Sequence, residues 1–260
     1  MTGVELTVCD LKGAGILVTR PAHQAADLCE LIESHGGRPL AFPALEICAP
    51  SGPEAAAKVL AQPADLYIFI SPNAVNFALH LLDRNRLPVA AKLAAVGKAT
   101  AQALLEAGFI VDLLPEERFD SEGLLALPEM SQVAGRRIVI IRGEGGRPLL
   151  GDTLEARGAE LVYAEVYRRC CPMSDPLPLL QRWKQDVDLV TATSSEILTN
   201  LVVMLGQVGW PLLSQAPLLV ISERMREQAK RLGFKTILQA ENAGNQAVVA
   251  RLCDWVETGE

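Results

Sequence analysis

Short apolar runs alternate with helix-like stretches along most of the chain. The runs begin near residues 16, 66, 93, 138, 189 and 218 and read ILVT, LYIFI, LAAV, IVII, LVTA and LLVI. Such unbroken runs are typical of parallel strands that are buried on both faces. A helical pattern follows; in 22–36, for example, Ala25, Leu28, Cys29 and Ile32 fall on one face. The alternation predicts an α/β fold with parallel sheets.

Most of the predicted helices end near a glycine. Glycine readily adopts the left-handed conformation with which many helices terminate. The pattern therefore predicts helix ends at Gly36, Gly108, Gly158 and Gly233.

The chain also repeats its own pattern after about 120 residues. The stretch ADLYIFISPNAVNFAL is echoed by VDLVTATSSEILTNL, and the equivalent serines, Ser71 and Ser194, are 123 positions apart. Two further echoes pair 16–47 with 138–169 and 93–116 with 217–241. Three echoes in the same order predict an internal duplication and hence two similar, doubly wound α/β domains.

The repeat leaves the assembly of these domains open. In one arrangement, segment 16–47 joins 65–115, and the later copies join each other. In the other, the chain crosses over: 65–115 joins 138–169 as one continuous domain, and 188–240 returns to 16–47. The two arrangements contain the same local patterns, so the residues alone do not decide between them.

The composition and net charge of the chain exclude some classes of binding partner. Half of the 260 residues are hydrophobic, and the formal net charge is −7. Nucleic acids and anionic membranes require a basic surface, so neither is expected as a partner. No apolar run is expected to approach the roughly 18 residues of a membrane span. The N-terminus, MTGVELTVCDLKGAG, lacks the pattern of a secretory signal, which predicts a cytoplasmic protein.

The six cysteines show no metal-binding pattern. None belongs to a CxxC pair, and the chain has only three histidines. A zinc site is therefore not expected. The prediction is that the cysteines are reduced thiols that act as small hydrophobic side chains.

Polar residues follow the predicted strands. Ligands of doubly wound sheets bind beyond the carboxyl ends of the strands, where free N–H groups at helix starts attract anions. Arginines that end a buried run need solvent or an anion for their charge, whereas the serines are explained equally well as helix N-caps. The predicted substrate-binding residues are Arg20, Ser71, Asn73, Lys98, Thr100, Arg142, Gly143, Ser194, Ser195, Ser222 and Arg224.

Several motifs of catalytic and cofactor-binding sites are missing from the sequence. It contains no GxSxG elbow and no HExxH, and RGEGG at 142–146 lacks the spacing of a phosphate-binding or dinucleotide loop. The sequence therefore offers no recognisable motif for a metal or a dinucleotide. An enzyme with this sequence would act mainly by holding and shaping a substrate that carries several anionic groups.

Five short motifs in a fixed order carry a family resemblance. They are ILVTRP (16–21), IFISPNAV (68–75), AAVGKATAQAL (94–104), EARGAELVYAEVYRR (155–169) and VISERM (220–225). With this order and spacing, the chain resembles the uroporphyrinogen-III synthase family over nearly its whole length. The resemblance implies the crossed arrangement, with two α/β domains, a two-strand linker and a cleft between the domains. The implied limits are 1–40 with 170–260 for one domain, 48–162 for the other, and 41–47 and 163–169 for the linkers.

The same resemblance implies an activity. Members of the family close hydroxymethylbilane, a linear tetrapyrrole with eight carboxylates, into uroporphyrinogen III without a cofactor. They expel the terminal hydroxyl and invert the last pyrrole ring. Tyr167 matches the linker tyrosine of the family, which implies a catalytic role as a proton donor, and family members are usually monomers. The alternatives are a non-catalytic two-lobe protein that binds a carboxylate ligand and a nucleotide-dependent α/β enzyme.

Overall fold

The computed structural model describes residues 9–82, 87 and 91–259. The other residues, 1–8, 83–86, 88–90 and 260, belong to the predicted domains 1–40, 48–162 and 170–260 but lie outside the described residues. The first half of the N-terminal segment that was compared with a secretory signal also lies outside them.

Ten strands alternate with helices in the described part of the chain. The strands are β1 (Gly15–Val18), β2 (Arg38–Ala41), β3 (Glu46–Cys48), β4 (Leu66–Phe69), β5 (Lys92–Ala95), β6 (Arg137–Gly143), β7 (Glu160–Cys170), β8 (Leu189–Thr191), β9 (Leu218–Val220) and β10 (Ile237–Gln239). The α-helices are α1 (Ala22–Ser34), α2 (Pro53–Leu60), α3 (Pro72–Leu81), α4 (Lys98–Glu106), α5 (Ser121–Leu125), α6 (Leu149–Ala156), α7 (Leu177–Asp186), α8 (Ser195–Gln215), α9 (Glu223–Leu232) and α10 (Asn245–Thr258). A 3₁₀ helix covers Pro128–Ser131.

The chain divides into two compact units. Unit 1 contains the described residues up to Glu46 and those from Cys170 onward, and unit 2 is Ile47–Arg169. The sheet of unit 1 has the order β10-β9-β8-β1-β2, and that of unit 2 has the order β3-β7-β6-β4-β5. Strand β1 pairs in parallel with β8, and β4 pairs in parallel with β6. These are the pairings of the crossed arrangement; the predicted linker strands 41–47 and 163–169, with their domain limits, stay a prediction.

Each sheet is covered by apolar side chains on both faces. In unit 1, Leu17 and Val190 belong to one core cluster, whereas Ile16 and Leu189 belong to another. The four residues of β1 and of β4 are all buried. The unbroken apolar runs of the sequence therefore correspond to strands between two helical layers, and the predicted doubly wound α/β architecture is confirmed.

The two sheets show the duplication. Reading from β2, unit 1 has the order β2-β1-β8-β9, and unit 2 has the equivalent order β7-β6-β4-β5. The predicted glycine helix ends are also confirmed, since all four glycines have φ between 74° and 99°: Gly36, Gly108, Gly158 and Gly233. Local sequence patterns therefore fix both the elements and where many of them stop.

The cysteine prediction was wrong for one pair. Cys9 and Cys253 form a disulfide, with Cα atoms 5.8 Å apart. The two residues are 244 positions apart, but Cys9 packs with α10 residues such as Val249 and Leu252 in one core cluster. Sequence spacing cannot reveal a pair that only this packing brings together. Cys29, Cys170 and Cys171 are half-buried thiols.

Reduction of this disulfide is expected to lower the stability of unit 1. Cross-links that close long loops typically contribute about 2–4 kcal/mol. All three tryptophans, Trp183, Trp210 and Trp255, lie in unit 1, so the thermal transition followed by tryptophan fluorescence should fall when dithiothreitol is added. Cys253→Ser should unfold at the lower temperature with or without the reductant. Cys29→Ser is the matched control and should keep the response; an unchanged transition in reduced wild-type protein would contradict the bond.

Helix α8 contradicts the expectation that no segment is long and apolar enough to span a membrane. The helix has 21 residues, an 18-residue window of which has a mean hydropathy of 1.5, and it is long and apolar enough to cross a membrane, by length and composition alone. The lengths of the apolar runs in the sequence predict no such segment. However, Leu198, Leu201 and Leu205 pack in the core of unit 1, and Gly206 has non-helical dihedral angles that break the helix. A core helix of a soluble protein passes the same test of length and hydropathy.

Candidate functional site

Three predicted residues of unit 1 follow three neighbouring strands. Arg20 comes after β1, Ser194 after β8 and Ser222 after β9, and these strands are adjacent and parallel. The carboxyl ends of adjacent parallel strands lie at one edge of the sheet. The fold therefore places these residues along one edge of unit 1, as the strand pattern predicted.

The two serines cap the helices that follow them. Ser194 Oγ accepts a hydrogen bond from the N–H of Ile197 at 3.1 Å, and Ser222 Oγ accepts one from the N–H of Met225 at 3.4 Å. A capping hydroxyl still has its own O–H to donate. The N–H groups of the first helical residues also have no partner within the helix. Capping is therefore compatible with anion binding at the ends of α8 and α9.

Arg20 already has two acceptors within its own unit. Its guanidinium donates to Asn245 Oδ1 at 2.5 Å and to the carbonyl oxygen of Ala243 at 2.6 Å. The residue is 7% exposed, and its burial lowers the pKa of the guanidinium from the ordinary value. Both acceptors are neutral, so neither pairs the buried charge. Arg20 thus holds the loop before α10, and its role as a substrate ligand stays a prediction.

A buried threonine pair at this edge was not among the predicted site residues. Thr19 Oγ1 donates to the carbonyl oxygen of Thr191 at 2.5 Å, and Thr191 Oγ1 donates to that of Leu17 at 3.0 Å. Both threonines are fully buried. These hydrogen bonds join the ends of β1 and β8, which are about 170 positions apart in the sequence. They therefore support the position of Arg20, the residue after Thr19.

Unit 2 repeats the arrangement with other side chains. Arg142 is the penultimate residue of β6, Ser71 follows β4 and Lys98 follows β5, and these three strands are adjacent and parallel. Ser71 Oγ accepts a hydrogen bond from the N–H of Ala74 at 3.1 Å and caps α3. The first residue of α3 is Pro72, which has no N–H. This helix end therefore offers one donor fewer than α8 or α9.

Tyr167 reaches this edge because of an irregularity in β7. Arg142 pairs with Glu165, but the next residue of β6, Gly143, pairs with Tyr167, so the register shifts by one residue. Simple alternation would put Tyr167 on the face that carries Tyr163. The shift instead places it with Ala164 and Val166 in the opposite core cluster. Its hydroxyl lies 3.2 Å from Ser71 Oγ.

Gly143 makes room for the tyrosine ring. A Cβ at this position would lie 2.6 Å from Cζ of Tyr167, closer than real Cβ contacts. Phe77 packs on Tyr167 with ring centroids 6.0 Å apart, and Tyr167 is 6% exposed. The predicted substrate-binding glycine therefore supports the predicted catalytic residue by packing.

The remaining predicted residues differ in exposure. Thr100 is 3% exposed in α4, whereas Asn73 and Ser195 are half-buried. The ammonium of Lys98 lies 4.6 Å from the centroid of the Phe119 ring. Arg224 is exposed on the first turn of α9. Lys98 and Arg224 are thus accessible to solvent, whereas Thr100 is buried inside unit 2.

Arg142 is held from two sides. Its guanidinium carbon lies 4.0 Å from the centroid of the Tyr163 ring, and Nη2 lies 3.1 Å from Oε1 of Glu165. The Arg142 side chain is 13% exposed, whereas that of Glu165 is 41% exposed. Tyr163 and Glu165 were not among the predicted site residues. Their positions, four and two residues before Tyr167 on the same strand, are the only signal that the sequence offers for them.

The described residues offer no metal site. Within 9–82, 87 and 91–259, no group of three or more His, Cys, Asp or Glu side chains that could hold a metal ion is found.

Comparisons with known proteins give one consistent family. The family described as Uroporphyrinogen-III synthase HemD matches residues 26–250. The chain is 39% identical over 248 residues to a uroporphyrinogen-III synthase of Escherichia coli (strain K12), which covers 91% of this chain and 99% of that protein. It is 38% identical over 245 residues to the Salmonella typhimurium protein of the same name, with the same coverage.

Solved structures agree at the level of the fold. A uroporphyrinogen III synthase mutant from Thermus thermophilus superposes with a TM-score of 0.55 at 20% identity, covering 95% of this chain and all of that chain. The uroporphyrinogen-III synthetase from Helicobacter pylori has a TM-score of 0.57 at 14% identity, covering 91% and 97%. The two-domain α/β fold is therefore shared.

Proposed function

Because this chain belongs to the uroporphyrinogen-III synthase family, we propose that it converts hydroxymethylbilane into uroporphyrinogen III without a cofactor. The observation that carries the proposal is the identity of 39% over 91% of the chain. The reaction removes the terminal hydroxyl as water, inverts the last pyrrole ring and closes the macrocycle. The enzyme is accordingly a cyclising lyase.

The proposed substrate-binding residues match the charge of this substrate. It carries eight carboxylates, which helix N-termini, hydroxyls and cationic side chains bind well. We assign this role to Ser71, Asn73, Lys98, Thr100, Arg142 and Gly143 in unit 2, and to Arg20, Ser194, Ser195, Ser222 and Arg224 in unit 1. A locally cationic edge is compatible with a formal net charge of −7 for the whole chain.

The chemistry depends on shaping the bilane before it closes. In water the linear tetrapyrrole closes without inversion, so the protein must favour attack by the substituted carbon of the last ring, through a spirocyclic intermediate. Correct positioning of reacting groups can contribute roughly 7–11 kcal/mol. Tyr167 is the proposed proton donor for the departing hydroxyl, since its own hydroxyl lies at the capped start of α3, 3.2 Å from Ser71 Oγ.

The product isomer tests the proposal directly. The purified protein is incubated with hydroxymethylbilane, the products are oxidised to porphyrins and the isomers are separated. The expected product is the type III isomer, with heat-denatured protein giving only the unrearranged type I isomer. A native protein that yields only type I would contradict the proposal and would favour the carboxylate-binding alternative.

Further parts of the proposal are a monomeric state and a cytoplasmic location, without nucleic acid or membrane as partner. Gel filtration with light scattering measures the oligomeric state.

The third possibility, a nucleotide-dependent reaction, predicts that nucleotides raise the melting temperature of the protein. No such shift is expected here.

A further inference from the structure

A cavity lies beside Arg142 at the carboxyl end of the unit 2 sheet. Its volume is 410 Å³, within the range typical of small-molecule sites. The floor is apolar and includes Ile140 and Leu150. The polar side chains that line it are Ser121, Arg142, Arg147, Tyr163 and Arg169. Three cationic and two hydroxyl side chains thus surround a cavity that nothing in the described chain fills.

The acidic residue of the loop after β6 faces away from this cavity. The loop reads RGEGGR from Arg142 to Arg147. Glu144 accepts hydrogen bonds from the backbone N–H of Ser51 at 2.5 Å and from its hydroxyl at 3.2 Å, and it lines a second cavity on the other side of Tyr163, which lines both. Both arginines of the loop therefore line the first cavity, whereas the carboxylate of Glu144 lines the second.

Arg142 is already paired, but Arg147 is not. Glu165 neutralises Arg142, which also stacks on Tyr163. Among the described residues, none forms an ion pair or a side-chain hydrogen bond with Arg147, and its side chain is exposed at the mouth of the cavity. The guanidinium of Arg147 is consequently available to an anion, and its planar N–H groups suit a carboxylate.

Tyr163 points a hydroxyl into the same region. A Cβ at Gly151 would lie 2.8 Å from Cζ of Tyr163, so α6 has a glycine where the phenol approaches it. No described residue forms a hydrogen bond with the hydroxyl of Tyr163 or with that of Ser121. Burial raises the pKa of Tyr163, and the carboxylates of Glu155, Asp152 and Glu165 raise it further against the influence of Arg142. The phenol therefore keeps its proton and can donate it to an acceptor.

We infer that this cavity is a carboxylate subsite that binds one acetate or propionate arm of the tetrapyrrole. The inference rests on the proposed function and adds Arg147, Tyr163 and Ser121 to the binding residues. Arg147 supplies the charge, and the two hydroxyls donate hydrogen bonds to a group with about four lone-pair positions. Arg142 forms part of the wall of the subsite, and Glu165 and the Tyr163 ring hold its guanidinium in place.

Two variants test the subsite, with one matched control. Arg147→Gln removes the charge, and Tyr163→Phe removes the hydroxyl while keeping the ring on which Arg142 stacks. Arg136→Gln is the control, because Arg136 is an exposed arginine of the same unit that does not line the cavity. For Arg147→Gln we expect KM for hydroxymethylbilane to rise about tenfold, because glutamine cannot replace the charge-assisted hydrogen bonds of the guanidinium. For Tyr163→Phe we expect a rise of about three- to fivefold, with kcat within about twofold of wild type in both.

A binding measurement separates this effect from turnover. The dissociation constant of uroporphyrin, the stable porphyrin with the same eight carboxylates, is measured by fluorescence anisotropy. It should rise about tenfold for Arg147→Gln and remain at the wild-type value for Arg136→Gln. Equal KM and equal porphyrin affinity in the two arginine variants would overturn the subsite, as would a fall of kcat alone. Failure of the proposed function is recognised separately, since wild-type protein would then give no type III isomer.

Discussion

Tyr167→Phe is expected to lower kcat for type III formation by about 10- to 100-fold, somewhat below the usual contribution of a general acid. The change keeps the ring that packs against Gly143 and Phe77 and removes only the hydroxyl at Ser71. Without this donor, water or another group must protonate the departing hydroxyl. The remaining rate reflects positioning by the residues that bind the carboxylates, which the variant leaves in place. Steady-state kinetics with separation of the isomers gives the measurement.

Tyr67→Phe is the matched control for this experiment. Tyr67 lies on β4 of the same sheet, is fully buried, and donates its hydroxyl to the carbonyl oxygen of Gln62 at 2.6 Å. Its loss should reduce stability by about 1 kcal/mol without changing kcat. An unchanged kcat for Tyr167→Phe would show that the hydroxyl has no chemical role. Complete loss of activity in a folded protein would show that the hydroxyl is indispensable, which also contradicts the expectation.

The elements of this fold are local and therefore readable from the residues. The apolar runs become the buried strands, and glycines such as Gly158 and Gly233 end helices with positive φ. The pairing of strands from the two halves of the chain cannot be predicted from local sequence in the same way. It depends on hydrogen bonds between distant residues, such as that from the N–H of Gly15 to Asp188 Oδ2 at 2.7 Å. Both possible assemblies have the same local pattern, so only the family resemblance favoured the crossed one.

The candidate site was predictable only in the part that follows from the strand ends. Strand ends identify Ser71, Ser194 and Arg142, because ligand positions follow from topology once the strands are known. The orientation of Tyr167 does not follow, since one register shift against Gly143 moves it to the other face of the sheet. The disulfide was unpredictable for a related reason: it depends on the tertiary packing of the first described residues on α10.

Gly15→Ala is expected to destabilise unit 1 by about 3 kcal/mol or more, a loss typical of severe steric conflict in a core. Gly15 begins β1 and is buried. A Cβ there would overlap the carbonyl oxygen of Asp186 and lie 2.7 Å from its carbonyl carbon. Because the obstacle is the backbone at the end of α7, the start of β1 must move away from it, which breaks the hydrogen bonds between Gly15 and Asp188, the residue before β8. Urea unfolding followed by tryptophan fluorescence reports this loss for unit 1.

The conflict at Gly15 also tests the crossed pairing itself. Its partners, Asp186 and Asp188, are more than 170 positions away, and in the uncrossed assembly β1 would have no reason to touch them. Gly52→Ala is the control, because its Cβ would meet its nearest neighbour, Ala55, at an ordinary 3.8 Å and its φ of −129° suits alanine. Gly52 is the N-cap of α2, where alanine is less favourable than glycine, so this variant should lose at most about 1 kcal/mol of stability by circular dichroism. If Gly15→Ala did the same, β1 would not lie against β8, and Arg20, Ser194 and Ser222 would not share an edge.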